Sequence, residues 1–171
     1  MKFRRWPLLS LIGFLIVAGG VFVSTEVTVL QLENLDRQKI LRIKVSPAES
    51  LSLSYLHSIY REPVVEEFRL REGEFLLTGV ITRSPGVMEY YGFEEVRDRH
   101  PVERRWAFLD LKRTPGGEQV LIVKGRQIEL RDLGEEGDRI RLRVLSLRLG
   151  PYLLGSIDQL LSPPFLGQER E

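Results

Sequence analysis

Ser54-Tyr55-Leu56-His57-Ser58-Ile59-Tyr60-Arg61-Glu62-Pro63-Val64-Val65-Glu66-Glu67-Phe68-Arg69-Leu70 reads as a strand, a tight turn over 60–63 and a returning strand. Alternate residues of a strand share a face. Leu51, Leu53, Tyr55, His57 and Ile59 therefore fall together, as do Val64, Glu66, Phe68 and Leu70, each set apolar or aromatic apart from one ionisable residue. A hairpin folded at Arg61-Glu62 sets position 57 opposite position 66, so that His57 and Glu66 meet on the buried side. Either group is costly to bury alone and tolerable beside the other; removing one partner is expected to cost ~3–5 kcal/mol. Ser58 and Glu67 point the other way. Tyr55, His57, Ser58, Pro63, Glu66 and Glu67 thus form the candidate polar cluster, either a structural pair with its neighbours or a ligand-contacting, pH-responsive one.

Outward from the hairpin, short alternating segments continue over 27–32, 39–45, 51–59, 64–70, 75–82, 105–111, 119–123, 127–133 and 139–149. Turn formers separate them, among them Ser46-Pro47, Gly73, Pro85-Gly86, Gly125 and Gly137-Asp138. About nine short strands at this spacing predict an all-β domain, an antiparallel β-sandwich or partly open barrel over 26–150. In the last strand the apolar face switches parity, which a bulge near Val144 or coverage of both faces at that end would explain. Arg139, Arg141 and Arg143 form a basic stripe there, read as a solvated face balanced by Glu129 and Glu135, with an anion site as the alternative. The stretch 88–103 carries no strand pattern. Its Tyr90, Tyr91 and Phe93 make a candidate contact loop, or a cover over one end of the domain.

The N-terminus has a different texture. Lys2, Arg4 and Arg5 precede 20 residues, 6–25, without a charge. As a helix at ~1.5 Å per residue the run spans ~30 Å, one hydrocarbon core. An uncleaved anchor and a cleaved signal peptide both fit, the latter through the small residues Ala18-Gly19-Gly20. The basic tip holds the N-terminus in the cytoplasm in either case and sends the β domain out of it. The chain therefore divides into an anchor or signal segment over 1–25, the β domain over 26–150 and a tail over 151–171, where 151–161 suits a short helix.

Charge and composition exclude several classes. Lys and Arg number 25 against 24 Asp and Glu, so no global charge favours nucleic acid, and loss of the three N-terminal cations would take +1 to −2. The absence of cysteine excludes disulfides, a lipidated cysteine and thiolate metal sites. His57 and His100 are the only histidines, and neither sits in a metal-ligand spacing. Ser58 is no nucleophile for His57, because neighbours on a regular strand diverge. No cofactor is implied.

His57-Ser58, Pro63-Val64 and Glu66-Glu67-Phe68 resemble the signature of the DUF1850 family, and a looser likeness runs from Gln119 to Leu145. Together the likeness covers about residues 26–146 and departs where Ser84-Pro85-Gly86-Val87-Met88 replaces a glycine-rich run. Such proteins are small, of uncharacterised activity and typically encoded beside TRAP transporters of the TAXI type. The resemblance implies an accessory role in transport, with the permease or solute-binding protein as partner, and supplies no catalytic residue. A small-molecule or glycan-binding β domain is the alternative, and a hydrolase using His57 and Glu66 the weakest one.

Overall fold

The structure, a computed structural model, describes residues 25–95, 97–116, 118–150 and 152–153. The hydrophobic run and most of the tail helix expected from sequence lie outside them, and among the described residues no helix is long and apolar enough to cross a membrane.

Ten strands follow in chain order: β1 (Glu26–Asn34), β2 (Lys39–Lys44), β3 (Ser50–Leu56), β4 (Pro63–Arg71), β5 (Glu74–Ile81), β6 (Arg99–Trp106), β7 (Phe108–Lys112), β8 (Val120–Val123), β9 (Arg126–Glu129) and β10 (Arg139–Arg148). They form two antiparallel sheets, one in the order β2-β1-β10-β7, the other in the order β6-β5-β4-β3-β8-β9. One short helix, α1 (Pro85–Tyr91), lies between β5 and β6, and a 3₁₀ turn at Leu130–Asp132 follows β9. The fold class is thus all-β, with ten strands among the described residues where about nine were expected.

Contacts divide the chain into two units, Thr28–Leu145 and a second made of Met1–Val27 with Ser146–Glu171. In the second, the Leu149 N–H donates to the Thr25 carbonyl at 2.7 Å and the Ser146 hydroxyl to Glu26 at 2.9 Å. The first holds the core. Leu30, Leu32, Ile140 and Leu142 from one sheet pack in a single cluster with Leu51, Leu53, Val64, Phe68, Phe75, Leu77 and Leu121 from the other. Each such side chain contributes ~1.5–3 kcal/mol by leaving water.

The extra strand arises from the segment 105–111, expected to be one strand. It is two: β6 ends at Trp106 and β7 begins at Phe108, in different sheets. Trp106 packs inward from β6 while Leu109 and Leu111 pack inward from β7, so the alternation slips at Ala107, where the chain changes sheet.

The register shifts seen lie in the six-stranded sheet. β10 pairs β7 in unbroken register from Arg139 to Arg143. The shifts fall between Glu67 and Phe68 against β5, and between Leu77 and Gly79 against β6. Thr78 is the extra residue, and its hydroxyl donates to the Glu67 carbonyl at 3.1 Å. It moves the inward parity of β5 from Phe75 and Leu77 to Val80. The arginine stripe is a balanced face, but with other partners than expected. Arg141 binds Asp110 through two bonds of 2.6 Å, and Arg139 binds Asp36 at 3.1 Å. Glu129 and Glu135 pair instead with Arg131 and Arg37.

Candidate functional site

The hairpin that carries the polar cluster exists, but its register differs from the one expected. Tyr55 stands opposite Val64 and Leu53 opposite Glu66, so the turn takes six residues, 57–62, and His57 leaves the ladder. Its carbonyl accepts from the Arg61 N–H at 2.8 Å, and its own N–H donates to the Glu62 carbonyl at 2.8 Å. Arg61 adopts a left-handed φ of 57°, which closes this wider turn ahead of Pro63. His57 and Glu66 are therefore not a cross-strand pair.

His57 is nonetheless buried, at 5% exposure. Its ring lies 5.3 Å from that of Tyr60 and 4.7 Å, edge to face, from that of Tyr90. Nδ1 accepts from the Tyr60 N–H at 3.5 Å, a long bond that orients the ring. Tyr60 in turn covers the first turn of α1 so closely that a Cβ on Gly86 would come within 2.5 Å of its ring. Glycine at 86 is thus required by the approach of Tyr60.

Glu66 points inward, as its parity demands, and finds a different partner. Its Oε1 accepts from the Tyr91 hydroxyl at 2.6 Å. The Tyr55 and Tyr91 hydroxyls are 2.8 Å apart. Because the Tyr91 hydrogen goes to the carboxylate, Tyr55 is the donor to Tyr91. Burial raises the Glu66 pKa, against the opposing effect of the tyrosine hydrogen bonds and the nearby His57. Burial, then the charge of Glu66, raises the Tyr55 and Tyr91 phenols, so both remain donors across the physiological range.

Helix α1 brings Tyr91 to this point. Ser84 caps it, its side chain accepting from the Val87 N–H at 3.4 Å. Pro85 starts the helix and Gly92 ends it in the left-handed conformation, while Val87 and Met88 anchor one side in the core. The expected contact loop therefore divides. Tyr90 is exposed, Tyr91 reaches Glu66, and Phe93 stacks between Tyr91 at 5.5 Å and the buried His100 at 4.1 Å. Glu67 faces the other side of the sheet, where it binds Arg99 at 2.7 Å. Ser58 is exposed at the rim, and Pro63 opens β4.

Together these residues wall a cleft of about 430 Å³. Leu53, Tyr55, Glu66 and Phe68 form its floor; His57, Ser58, Tyr90 and Tyr91 stand at one end, and Trp106 and residues 108–112 along the other wall. The second wall was not legible as a site, because 105–111 read as one strand. The slip of alternation at Ala107 was the signal for it. Among the described residues no group of three His, Asp or Glu side chains is placed to hold a metal ion. The arrangement offers aromatic faces and one partly buried carboxylate already bonded by a phenol, which suits recognition of a ligand.

Comparison with curated proteins and with solved structures gave no match. Residues 51–130 match the family model described as a domain of unknown function, DUF1850. That span runs from the first residues of the hairpin to Leu130, and so takes in His57, Glu66, Tyr91 and both walls of the cleft. Over residues 51–130, a little under half of the chain, the sequence is similar to the DUF1850 family.

Proposed function

We propose that the domain is a binding module, the extracytoplasmic part of a membrane-tethered accessory protein that works with a TAXI-type TRAP transport system and contacts its permease or solute-binding protein. The observation that carries the binding role is the cleft that brings Tyr55, Glu66, Tyr90 and Tyr91 together around a partly buried carboxylate without a lysine or arginine partner among the described residues. A carboxylate drawn partly out of water and held only by hydroxyls is costly to keep, and such groups concentrate at functional sites. The tether rests on the 20 uncharged residues behind a basic tip, and the transport role on the resemblance of the hairpin to proteins typically encoded beside such transporters.

The aromatic lining also favours a second ligand class, a small molecule or glycan stacked on Tyr90, Tyr55 or Trp106. A hydrolase would need His57 oriented by Glu66, whereas Glu66 bonds Tyr91 and the Nδ1 of His57 faces the Tyr60 N–H.

Affinity capture of the full chain from solubilised membranes tests the proposal. The permease or the solute-binding protein should co-purify with the natural chain, and recovery should fall at least fivefold for Tyr90→Ala, a change at the exposed rim. Co-purification of neither component overturns the transport role.

A further inference from the structure

β7 is the edge strand of the four-stranded sheet, with β10 as its one neighbour among the described residues. All five of its residues, Phe108–Lys112, line the cleft. The bonds at its end fix which backbone groups face β10. The Arg113 N–H donates to the Asp138 carbonyl, and its C=O accepts from the Gly137 N–H, both at 2.9 Å. Arg113 thus faces β10, and the period of two places Leu111 and Leu109 with it. Phe108, Asp110 and Lys112 face the other way. Two further bonds agree. The Gln119 side chain donates to the Lys112 carbonyl at 3.0 Å, from the side away from β10. Arg139, opposite Lys112, turns its carbonyl away from β7 to accept from the Leu35 N–H at 2.9 Å. Gln119 therefore caps one end of the edge. The N–H and C=O of Phe108 and Asp110, and the N–H of Lys112, have no backbone partner among the described residues.

We propose that this edge receives an extended segment of a partner protein as an added strand, with a lysine or arginine side chain of that segment turned inward onto Glu66. This rests on the cleft being the binding surface of the domain. A strand added to β7 lies ~4.8 Å beyond it. Its inward side chains follow Leu109 and Leu111, which pack toward the core, and so enter the space over Tyr55, Glu66 and Phe68. Main-chain bonds to Phe108 and Asp110 supply affinity, and the pocket selects alternate side chains. An ammonium or guanidinium there gains the ion pair that Glu66 lacks among the described residues, beside the Tyr55 and Tyr91 rings. The charge is complementary at the one inward position that a neutral strand leaves uncompensated.

The test uses the ¹⁵N-labelled full chain in detergent micelles and four probes. They are the end-blocked heptapeptide Thr-Val-Thr-Lys-Thr-Val-Thr, its fully N-methylated form, its Lys-to-Glu form, and Nα-acetyl-lysine amide. The heptapeptide should slow exchange of the Phe108, Asp110 and Lys112 amides at least tenfold, and the N-methylated and glutamate forms should bind at least tenfold more weakly. If none of the three amides is protected at millimolar peptide, the proposal is overturned. If acetyl-lysine amide then shifts the Tyr55 and Tyr91 signals, the cleft binds a cation without strand addition and the binding role survives. If no probe shifts any cleft residue, strand addition and recognition of a cation by the cleft both fall. Protection of the three amides before any peptide is added, in a chain that sediments as a dimer, assigns the edge to a second copy and also overturns the proposal.

Discussion

Replacing Tyr91 by Phe removes one oxygen and leaves the ring stacked on Phe93 at 5.5 Å. That oxygen donates to Glu66 at 2.6 Å and contacts the Tyr55 hydroxyl at 2.8 Å. A bond to a charged acceptor is worth ~1.5–3 kcal/mol and a neutral one ~1 kcal/mol, so the variant should lose about 2.5–4 kcal/mol at pH 8. The loss depends on pH with a definite sign. The folded-state pKa of Glu66 is raised above its ordinary 4.5, so the folded chain holds the proton more tightly than the unfolded one. Stability from this group is then full below the unfolded value and lost as pH rises through the folded one. The Tyr91 bond favours the ionised form and opposes that loss. Tyr91→Phe should therefore cost most at pH 8 and least near pH 4.5. Urea unfolding followed by circular dichroism at several pH values reads this directly. With a slope of ~1–3 kcal/mol/M, the midpoint should fall by about 1–2 M at pH 8. A loss under ~0.5 kcal/mol, or one equal at both ends of the pH range, would refute the carboxylate–phenol contact.

Glu66→Gln should cost within ~1 kcal/mol near pH 7, because the amide still accepts from Tyr91 and sheds a partly buried charge, in place of the ~3–5 kcal/mol expected of a His57 partner. Glu67→Gln loses a half-exposed ion pair with Arg99 and should stay within ~1 kcal/mol; urea midpoints read both, and a loss of ~3 kcal/mol or more at either position would contradict these contacts. Gly86→Ala should destabilise by ~1–3 kcal/mol despite the helix propensity of alanine, since its Cβ meets the Tyr60 ring. Adding Tyr60→Ala should recover part of that loss, and no recovery would remove the steric cause. A reporter fused after Glu171 should be active only outside the cytoplasm, and activity inside would reverse the proposed orientation.

Much of the sandwich was legible because alternation marks a half-buried strand without reference to its partners. The inward faces of β3 and β4 follow directly from Leu51, Leu53, Val64 and Phe68. Register was not legible, because it depends on the turn, and the α-turn from His57 to Arg61 needs a left-handed arginine that sequence does not announce. Parity therefore placed Glu66 correctly and gave it the wrong partner. The sequence shows Tyr91 only as part of a contact loop or end cover, because α1 makes only two turns, too few to show a helical period, although Ser84-Pro85 and Gly92 are its caps. The two walls of the cleft are joined by tertiary contacts between residues 55–66 and 91–112, beyond the reach of any local pattern.

The binding role is tested most directly by a photo-reactive amino acid in place of Tyr90, which stands 61% exposed at the rim of the cleft. The same group in place of Arg71, at the β4–β5 turn, is the control. Illumination of intact cells should join the chain to the permease or the solute-binding protein from position 90 and not from position 71. Equal cross-linking from both positions, or none from position 90, would contradict the cleft as the contact site.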